Sequence, residues 1–242
     1  MKLIVLRHGE SLWNDSNKFC GWVDIKLSDK GKEEARFAGK LISKYNFHIT
    51  SMYTSKLSRS TQTGNIILDD LNLLFIDQYK YWELNERHYG AFQGRNREEV
   101  LKEVGEDVYN HVRRSYEGRP PRDESDGTID WRYNNIAVPN GESLKDVMER
   151  FEPFLDKLIH KQLHDFQDNG DVLMITHGSI VRSIIKFFTN QDEKVVSKIE
   201  IPTGVPIVFE IENGELVQNY YYLDKELAKE SIRKYEEKTF SN

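Results

Sequence analysis

The apolar residues of this chain form two kinds of run, and the two kinds alternate along the sequence. Short runs rich in branched aliphatic residues predict buried strands at 3–6, 52–54, 73–76 and 172–176. Runs with helical spacing lie between them, and the clearest one starts after Ser143, a residue that suits a helix cap. Alternating strands and helices predict an α/β fold of three layers, α/β/α, with a mostly parallel central sheet.

Other segments fill in this outline. Ser28 is the predicted cap of a helix to about Tyr45, Ile66 and Ile67 lie on the apolar side of another, and the charged segment 95–114 is predicted to be helical. Asn213-Gly214 predicts a hairpin turn. The proline-bearing stretch 116–141 has no periodicity, which indicates a lid or surface loop, and the charged tail 225–242 has little to bury. Without internal repeats, we predict a single domain over 1–242.

Two of the predicted strands run directly into a histidine followed by a glycine. The first ends at Arg7-His8-Gly9 and the last at His177-Gly178. The carboxyl ends of parallel strands lie at one edge of a sheet, so the two imidazoles are expected to meet there. A neutral imidazole can attack phosphorus and a protonated one can stabilise developing charge, while a helix starting at Gly178 favours anions.

Arginines recur at the same strand ends and loops. Guanidinium groups match phosphate oxygens in pairs, so the set predicts phosphate binding, although any single arginine could be a solvated surface residue. The set comprises Arg7, Arg59, Arg87, Arg113 and Arg114. Glu86 is the candidate general acid or base; burial would raise its pKa and a neighbouring arginine would lower it, and a surface ion pair is the alternative.

The overall charge and the cysteine content narrow the class of protein. A net charge of −6 argues against nucleic-acid and anionic-membrane partners, and no long uncharged apolar run or signal peptide is present. Cys20 is the single cysteine, which fits a reducing, cytoplasmic location. His160 and His164 lie four apart and could bind a metal, but the helix dipole also favours histidines there, and no metal is expected.

Several longer motifs resemble a known family. Arg7 to Ser11, with Trp13 and Asn14, resembles the signature of the histidine phosphatase superfamily. Six further segments are similar to cofactor-dependent phosphoglycerate mutases, at 21–24, 53–59, 84–90, 113–116, 142–144 and 201–206. The resemblance runs from residue 1 to about residue 224, and it implies the phosphoglycerate mutase fold.

The resemblance also implies an isomerase of glycolysis and gluconeogenesis. In it, 2,3-bisphosphoglycerate would phosphorylate His8, and the phosphohistidine would interconvert 3- and 2-phosphoglycerate without a metal. Glu86 would shuttle the hydroxyl proton, while Arg7, Arg59 and His177 would hold the transferring phosphoryl group. These small phosphorylated three-carbon acids would be bound by the substrate residues Asn14, Cys20, Gly21, Arg87, His88, Tyr89, Arg97, Arg113, Arg114, Gly178 and Ser179.

The chain departs from the family pattern at a few positions. Cys20 replaces a threonine or serine, Ser179 replaces an asparagine, and Arg97 replaces a lysine, while the loop at Pro120-Pro121 is shortened. These features resemble a divergent fungal-type paralogue. Three functions therefore stay open: a mutase, a phosphatase or bisphosphoglycerate synthase/phosphatase, and a weakly active paralogue with a binding role. The oligomeric state is open too, with a homo-oligomer among the alternatives.

Overall fold

The computed structural model describes residues 1–124, 130–165 and 170–240, and its side chains over 1–124, 130–160 and 170–234. Within these ranges the strands are β1 (Lys2–Arg7), β2 (Ile49–Ser55), β3 (Asp77–Tyr81), β4 (Asp171–Thr176), β5 (Ile207–Glu212), β6 (Glu215–Leu216) and β7 (Tyr221–Tyr222). The helices are α1 (Leu12–Asp15), α2 (Asp29–Ile42), α3 (Ser58–Asp70), α4 (Arg97–Val104), α5 (Glu106–Arg114), α6 (Leu144–Asp165), α7 (Gly178–Thr189), α8 (Glu193–Val196) and α9 (Lys225–Phe240).

The strands form one mostly parallel sheet. Its order is β3-β2-β4-β1-β5-β6, and β7 pairs with β5. The four strands from β3 to β1 are parallel to one another, and β5 runs antiparallel to β1. Both faces of this sheet carry helices, so the predicted α/β/α architecture is confirmed.

The residues of β1 show how the two faces are covered. Leu3 and Val5 pack with the apolar sides of α6 and α7, whereas Ile4 and Leu6 pack with α2 and α3. All four side chains are fully buried, and burial of such a side chain contributes about 1.5–3 kcal/mol. Alternation along a strand sends successive side chains to opposite faces, so a continuous aliphatic run fits a strand covered on both sides.

The loop after β1 is positioned by the start of α2, through a helix cap and a close contact between backbone atoms. Ser28 accepts the backbone N–H of Gly31, as predicted for the start of α2, and the helix ends at Ile42, before the expected Tyr45. A Cβ atom on Gly9 would lie 2.2 Å from the carbonyl oxygen of Gly31. The loop after β1 therefore lies directly against the start of α2, and that approach requires glycine.

Two predicted elements were placed wrongly. The strand expected at 73–76 is a turn with Phe75 82% exposed, and β3 follows it at Asp77–Tyr81. β3 pairs with β2 alone, so at this edge hydrogen bonding rather than apolar burial forms the strand, and a hydrophobicity pattern misses it. The single charged helix is two, α4 and α5, separated at Gly105 with a φ of 79°.

The predicted hairpin turn is confirmed, whereas the short helices α1 and α8 were not predicted from the sequence. Asn213 and Gly214 both have positive φ at the tip of the β5–β6 hairpin, although β7 continues it only after a break. The tail forms α9, in which Ala228 is buried. Within 116–141, a short 3₁₀ helix covers Trp131–Tyr133. The lid interpretation of that stretch, part of which lies outside the described residues, and the single-domain prediction stay predictions.

Candidate active site

Neighbouring parallel strands bring the two histidines together. β1 and β4 pair in register, with Arg7 opposite Thr176, so His8 and His177 follow at the same edge of the sheet. The backbone N–H of His8 donates to the carbonyl oxygen of Thr176 at 2.9 Å. The ring centroids of the two histidines lie 4.8 Å apart in an edge-on arrangement.

The hydrogen bonds of His8 assign its tautomer. Nδ1 lies 2.6 Å from the carbonyl oxygen of Gly9, which can only accept, so Nδ1 carries the proton. Nε2 accepts a hydrogen bond from Nε of Arg59 at 3.2 Å. Burial, together with His177, Arg59 and Arg7, holds the pKa of His8 well below its usual range. His8 is therefore a neutral imidazole with its lone pair on Nε2.

His177 is buried behind His8 and differs from it in its partners. Its Nε2 lies 2.8 Å from Oγ of Ser55, at the end of β2. Its Nδ1 is buried and has no hydrogen-bond partner among the described residues. Burial, with Arg59 and Arg7, holds the pKa of His177 well below its usual range. A buried, unpartnered ring nitrogen beside a nucleophile suits a ligand oxygen.

The two arginines beside the histidines are held by backbone carbonyl groups. Arg59 is fully buried and donates to the carbonyl oxygens of Gly21 and Val23 at 2.7 and 2.9 Å. Arg7 donates from Nη1 to the carbonyl oxygen of Ile201 at 2.6 Å. Such bonds fix the guanidinium planes before any ligand arrives, which favours binding because less side-chain freedom is lost.

Glu86 is an ionised carboxylate in this site. Burial by itself raises the pKa of its carboxyl group, but hydrogen bonds from Ser179 and from the backbone N–H of Arg87, with the charges of Arg7 and Arg59, outweigh burial and hold that pKa below its usual value. The sequence left the direction of this shift open. At neutral pH, Glu86 is therefore ready to accept a proton.

A cleft opens in front of His8. Its enclosed part is small, about 50 Å³, and it opens to solvent at its mouth. Six arginines and two glutamates are among its lining residues, so the cleft is locally basic although the chain is acidic. The residues that line it are Arg7, His8, Asn14, Cys20, Gly21, Arg59, Glu86, Tyr89, Arg97, Arg113, Arg114, Gly178, Arg182 and Glu200.

Four of the predicted site residues do not line this cleft. His177 lies against His8, and the backbone N–H of Ser179 lies 3.3 Å from Oε1 of Glu86. Arg87 is buried, donates to the carbonyl oxygen of Val112 and packs on the ring of Tyr89. His88 is buried and accepts two backbone N–H groups at Nδ1, from Gly90 and Gly141. Arg87 and His88 thus hold backbone of the loops around the cleft, and their role in substrate binding stays a prediction.

Two cleft residues were missed from the sequence. Arg182 lies one helical turn beyond Gly178, and burial lowers its pKa to about 10. Glu200 forms an ion pair with Arg114 and lies 3.8 Å from Arg182. The helical spacing from Gly178 could have identified Arg182. For Glu200, the only feature of the sequence that could have indicated a place in the cleft is its position directly before the segment 201–206.

A buried ion pair lies beneath the loop that carries Glu86. Nε of Arg150 contacts a carboxylate oxygen of Glu142 at 2.6 Å, and both side chains are largely buried. The remaining guanidinium nitrogens donate to the backbone carbonyl oxygens of Glu83, Asn85 and Glu86. Arg150 therefore fixes the backbone from which Glu86 projects.

The described residues show neither a metal-binding cluster nor a membrane-spanning helix. Among the described side chains, no group of three or more His, Cys, Asp and Glu is placed to hold a metal ion. His160 contacts Asp156 on the surface of α6, and the side chain of His164 lies outside the described residues. The metal-free reaction stays a prediction. No helix in the described part of the chain has the length and apolar character that a membrane span requires.

Residues 3–222 match the family described as the histidine phosphatase superfamily (branch 1). The chain belongs to that superfamily. It is 41% identical over 93% of its length to the 2,3-bisphosphoglycerate-dependent phosphoglycerate mutase of Blochmanniella floridana, of which it covers 99%. It is 40% identical to phosphoglycerate mutase 1 of Saccharomyces cerevisiae, covering 94% of each chain. Within the superfamily, the chain belongs to the 2,3-bisphosphoglycerate-dependent phosphoglycerate mutases.

Solved structures show the same fold at low identity. A mycobacterial glucosyl-3-phosphoglycerate phosphatase is 17% identical, with a TM-score of 0.70 over 91% of this chain and 96% of that one. YhfR of Bacillus stearothermophilus is 21% identical, with a TM-score of 0.69 over 89% and 93%. These likenesses confirm the predicted fold class. The fungal-type paralogue and the oligomeric state stay untested predictions.

Proposed function

We propose that this chain interconverts 3- and 2-phosphoglycerate through a phosphohistidine at His8, primed by 2,3-bisphosphoglycerate. The observation that carries the proposal is a neutral His8 nucleophile beside His177 and Arg59, with an ionised Glu86 in the same cleft. The family supports the mutase over the phosphatase and the weakly active paralogue, because relatives about 40% identical over most of the chain are named as mutases.

The cleft residues fit a polyanion with more than one acidic group. Nδ1 of His177 and Nε of Arg7 are buried close to His8 and have no hydrogen-bond partners among the described residues. Arg97, Arg113 and Arg114 line the same cleft and supply further cationic side chains. We assign the first group to the transferring phosphate and the second to the remaining phosphate and carboxylate.

The proposed transfer uses four side chains, of which Glu86 moves the proton and His8 carries the phosphoryl group. Glu86 takes the proton of the acceptor hydroxyl while that oxygen attacks the phosphorus held on His8, and the P–Nε2 bond breaks. Nε2 of His8 then attacks the other phosphate of the same molecule, and Glu86 returns its proton to the leaving oxygen. Arg59 and His177 stabilise the charge on the transferring group in both steps. No net proton or phosphate is consumed.

The priming molecule supplies a phosphoryl group to His8 and has no other chemical role in the proposal. Asn14, Cys20, Gly21 and Tyr89 complete the substrate contacts as cleft-lining residues, and Gly178 lies at the start of α7 beside them. The proposed ligands are therefore small phosphorylated three-carbon acids. The proposed location is the cytoplasm, where a reducing environment suits a chain with one cysteine.

The phosphoenzyme tests this proposal. Incubation of the purified chain with ³²P-labelled 2,3-bisphosphoglycerate should give one acid-labile phosphohistidine, and His8→Ala should abolish both the label and mutase turnover. His160→Gln is the matched control, because His160 is an exposed histidine on α6, and it should label normally. Full mutase activity in His8→Ala would overturn the proposal.

Product identification separates the mutase from the phosphatase. With 3-phosphoglycerate and a trace of primer, formation of 2-phosphoglycerate should exceed release of inorganic phosphate. Cys20 is relevant here, because its Sγ lies 3.6 Å from Oγ of Ser11 and 3.7 Å from Nδ2 of Asn14 at the cleft wall. Excess phosphate release would instead support the hypothesis that Cys20 and Ser179 hold substrate loosely.

A further inference from the structure

Glu200 is a carboxylate within a cleft that otherwise suits anions. It lines the cleft, and its side chain is 10% exposed. Oε1 accepts a hydrogen bond from Nη1 of Arg114, and Oε2 lies 3.8 Å from Nη2 of Arg182. Two of the six cleft arginines are therefore already paired with a carboxylate from the chain itself.

The backbone around Glu200 is anchored on both sides. Nε of Arg182 donates to the carbonyl oxygen of Ile199 at 2.7 Å, and Nη1 of Arg7 donates to that of Ile201 at 2.6 Å. The two hydrogen bonds hold the backbone on either side of Glu200, and the two guanidinium groups hold its carboxylate. The side chain of Glu200 therefore does not move away freely. A bound anion near Arg114 therefore meets a negative charge that stays in place.

We propose, on the basis of the proposed function, that Glu200 is a specificity-determining residue that competes with the ligand's second anionic group for Arg114 and Arg182. Repulsion from the carboxylate of Glu200 lowers the binding affinity of a ligand more strongly as the negative charge of that ligand increases. A ligand with one anion, held near His8 and Arg59, loses little, whereas a bisphosphorylated ligand loses most. Glu200 thereby limits retention of the bisphosphorylated species and favours its release.

The size of the effect follows from the charge and the burial of the site. Two unit charges about 6 Å apart at an effective dielectric constant of about 20 repel strongly enough to weaken binding by one to two orders of magnitude. Exchanging Glu200 for glutamine removes that repulsion and keeps the shape and the acceptor oxygen for Arg114. The expected gain in affinity for 2,3-bisphosphoglycerate is about tenfold to a hundredfold.

Calorimetric titration in a His8→Gln background tests the inference without turnover, because that enzyme has no nucleophile for 2,3-bisphosphoglycerate to phosphorylate. Inorganic phosphate, 3-phosphoglycerate and 2,3-bisphosphoglycerate are titrated at one ionic strength into this background with and without Glu200→Gln. The Kd for phosphate should stay within about twofold, the Kd for 3-phosphoglycerate should fall moderately, and that for 2,3-bisphosphoglycerate should fall most. Glu103→Gln is the matched control, because Glu103 is an exposed carboxylate paired with Arg95, and it should change none of the three.

The outcomes separate this inference from the proposed function. An unchanged or higher Kd for 2,3-bisphosphoglycerate in Glu200→Gln overturns the inference and assigns Glu200 to the support of Arg114. Absence of phosphohistidine and mutase turnover in the wild type overturns the proposed function, whatever the order of the dissociation constants. Should Glu200→Gln fail to fold, Glu200→Ala gives the same comparison, with the thermal melting curve confirming the folded state.

Discussion

His8 and His177 illustrate how local bonding separates two residues of one type. The carbonyl oxygen of Gly9 accepts a hydrogen bond from the protonated Nδ1 of His8, which leaves the lone pair on Nε2, whereas Nε2 of His177 is hydrogen-bonded to Oγ of Ser55. The sequence showed only two strands that end in His-Gly. For His8 the deciding partner is the adjacent residue in a particular backbone conformation, whereas for His177 it is Ser55, 122 residues away in sequence.

The glycines after the two histidines differ in how much space surrounds them. A Cβ atom on Gly9 would lie 2.2 Å from a backbone oxygen of Gly31, whereas on Gly178 its nearest neighbour would be Nη1 of Arg182 at 3.6 Å. We expect Gly9→Ala to lower the free energy of unfolding by about 3 kcal/mol, because a backbone atom must move. Gly178→Ala should change that free energy by less than about 1 kcal/mol.

Urea unfolding of both variants measures the difference, and each serves as the control for the other. Equal stability losses would show that the loop after β1 rearranges freely, against the close approach of that loop to the start of α2. The same experiment tests why glycine is needed at position 9. If the reason is steric, Gly9→Ala loses stability and Gly178→Ala does not.

Among the elements, the loop after β3 depends on α6 for its position. Arg150 on α6 donates to three backbone carbonyl oxygens of this loop and pairs with Glu142, which lies two residues before that helix. The regular hydrogen bonding of this loop is confined to two short 3₁₀ helices, Trp82–Leu84 and Gly90–Phe92. Its geometry, and with it the location of Glu86, therefore depends on a side chain about 65 residues away in sequence.

We expect Arg150→Met to lower both stability and kcat. Removing one partner of a buried ion pair leaves Glu142 uncompensated and costs about 3–5 kcal/mol. The double variant Arg150→Met with Glu142→Gln should recover part of that stability but not kcat, because the carbonyl oxygens of Asn85 and Glu86 stay without their donor. Thermal melting and steady-state kinetics on the single and double variants measure the two effects. Recovery of kcat in the double variant would contradict a positioning role for Arg150.

Strands at the edge of the sheet are the elements that the hydrophobicity pattern predicts least well. Interior strands such as β4 are fully buried, and their apolar runs predicted them. β3 exposes four of its five side chains, and it forms through backbone pairing with β2. A strand at the edge of a sheet does not need an apolar sequence, so the nearby apolar run at 73–76 was the wrong choice.

For the whole molecule, the clustered positive charges and the buried histidines of the active site lower the stability of the folded state. The chain has a net charge of −6, yet six arginines converge on one cleft around two buried histidines. Arginines close together repel, and a bound anion relieves that repulsion. Buried neutral histidines also resist protonation, so acid favours the unfolded chain.

This resistance predicts how stability depends on pH. The pKa values of His8 and His177 lie well below the usual value because of burial, and burial lowers that of His88 as well. In the unfolded chain each titrates near about 6.5, so below that pH the unfolded state binds more protons and stability falls. Between about pH 7 and pH 5.5, the free energy of unfolding should fall by about 2–3 kcal/mol from His8 and His177 together.

Urea unfolding at a series of pH values measures this dependence. The double variant His8→Gln with His177→Gln should have a clearly shallower slope than the wild type, whatever its absolute stability. Carboxylates such as Glu86, with a lowered pKa, lose their contribution only at lower pH, so the two windows are separate. A wild-type slope in the double variant would contradict neutral burial of the two histidines.

The sequence by itself determined the layers of the fold, the two strands that end in His-Gly, and the types of side chain that serve the chemistry. These features are local, because apolar periodicity and turn residues act between near neighbours in the chain. Only the tertiary structure decided the ionised state of Glu86, the supporting places of Arg87 and His88, and the entry of Arg182 and Glu200 into the cleft. Burial and opposing charge decide these properties, and both depend on which distant segments the parallel register brings together.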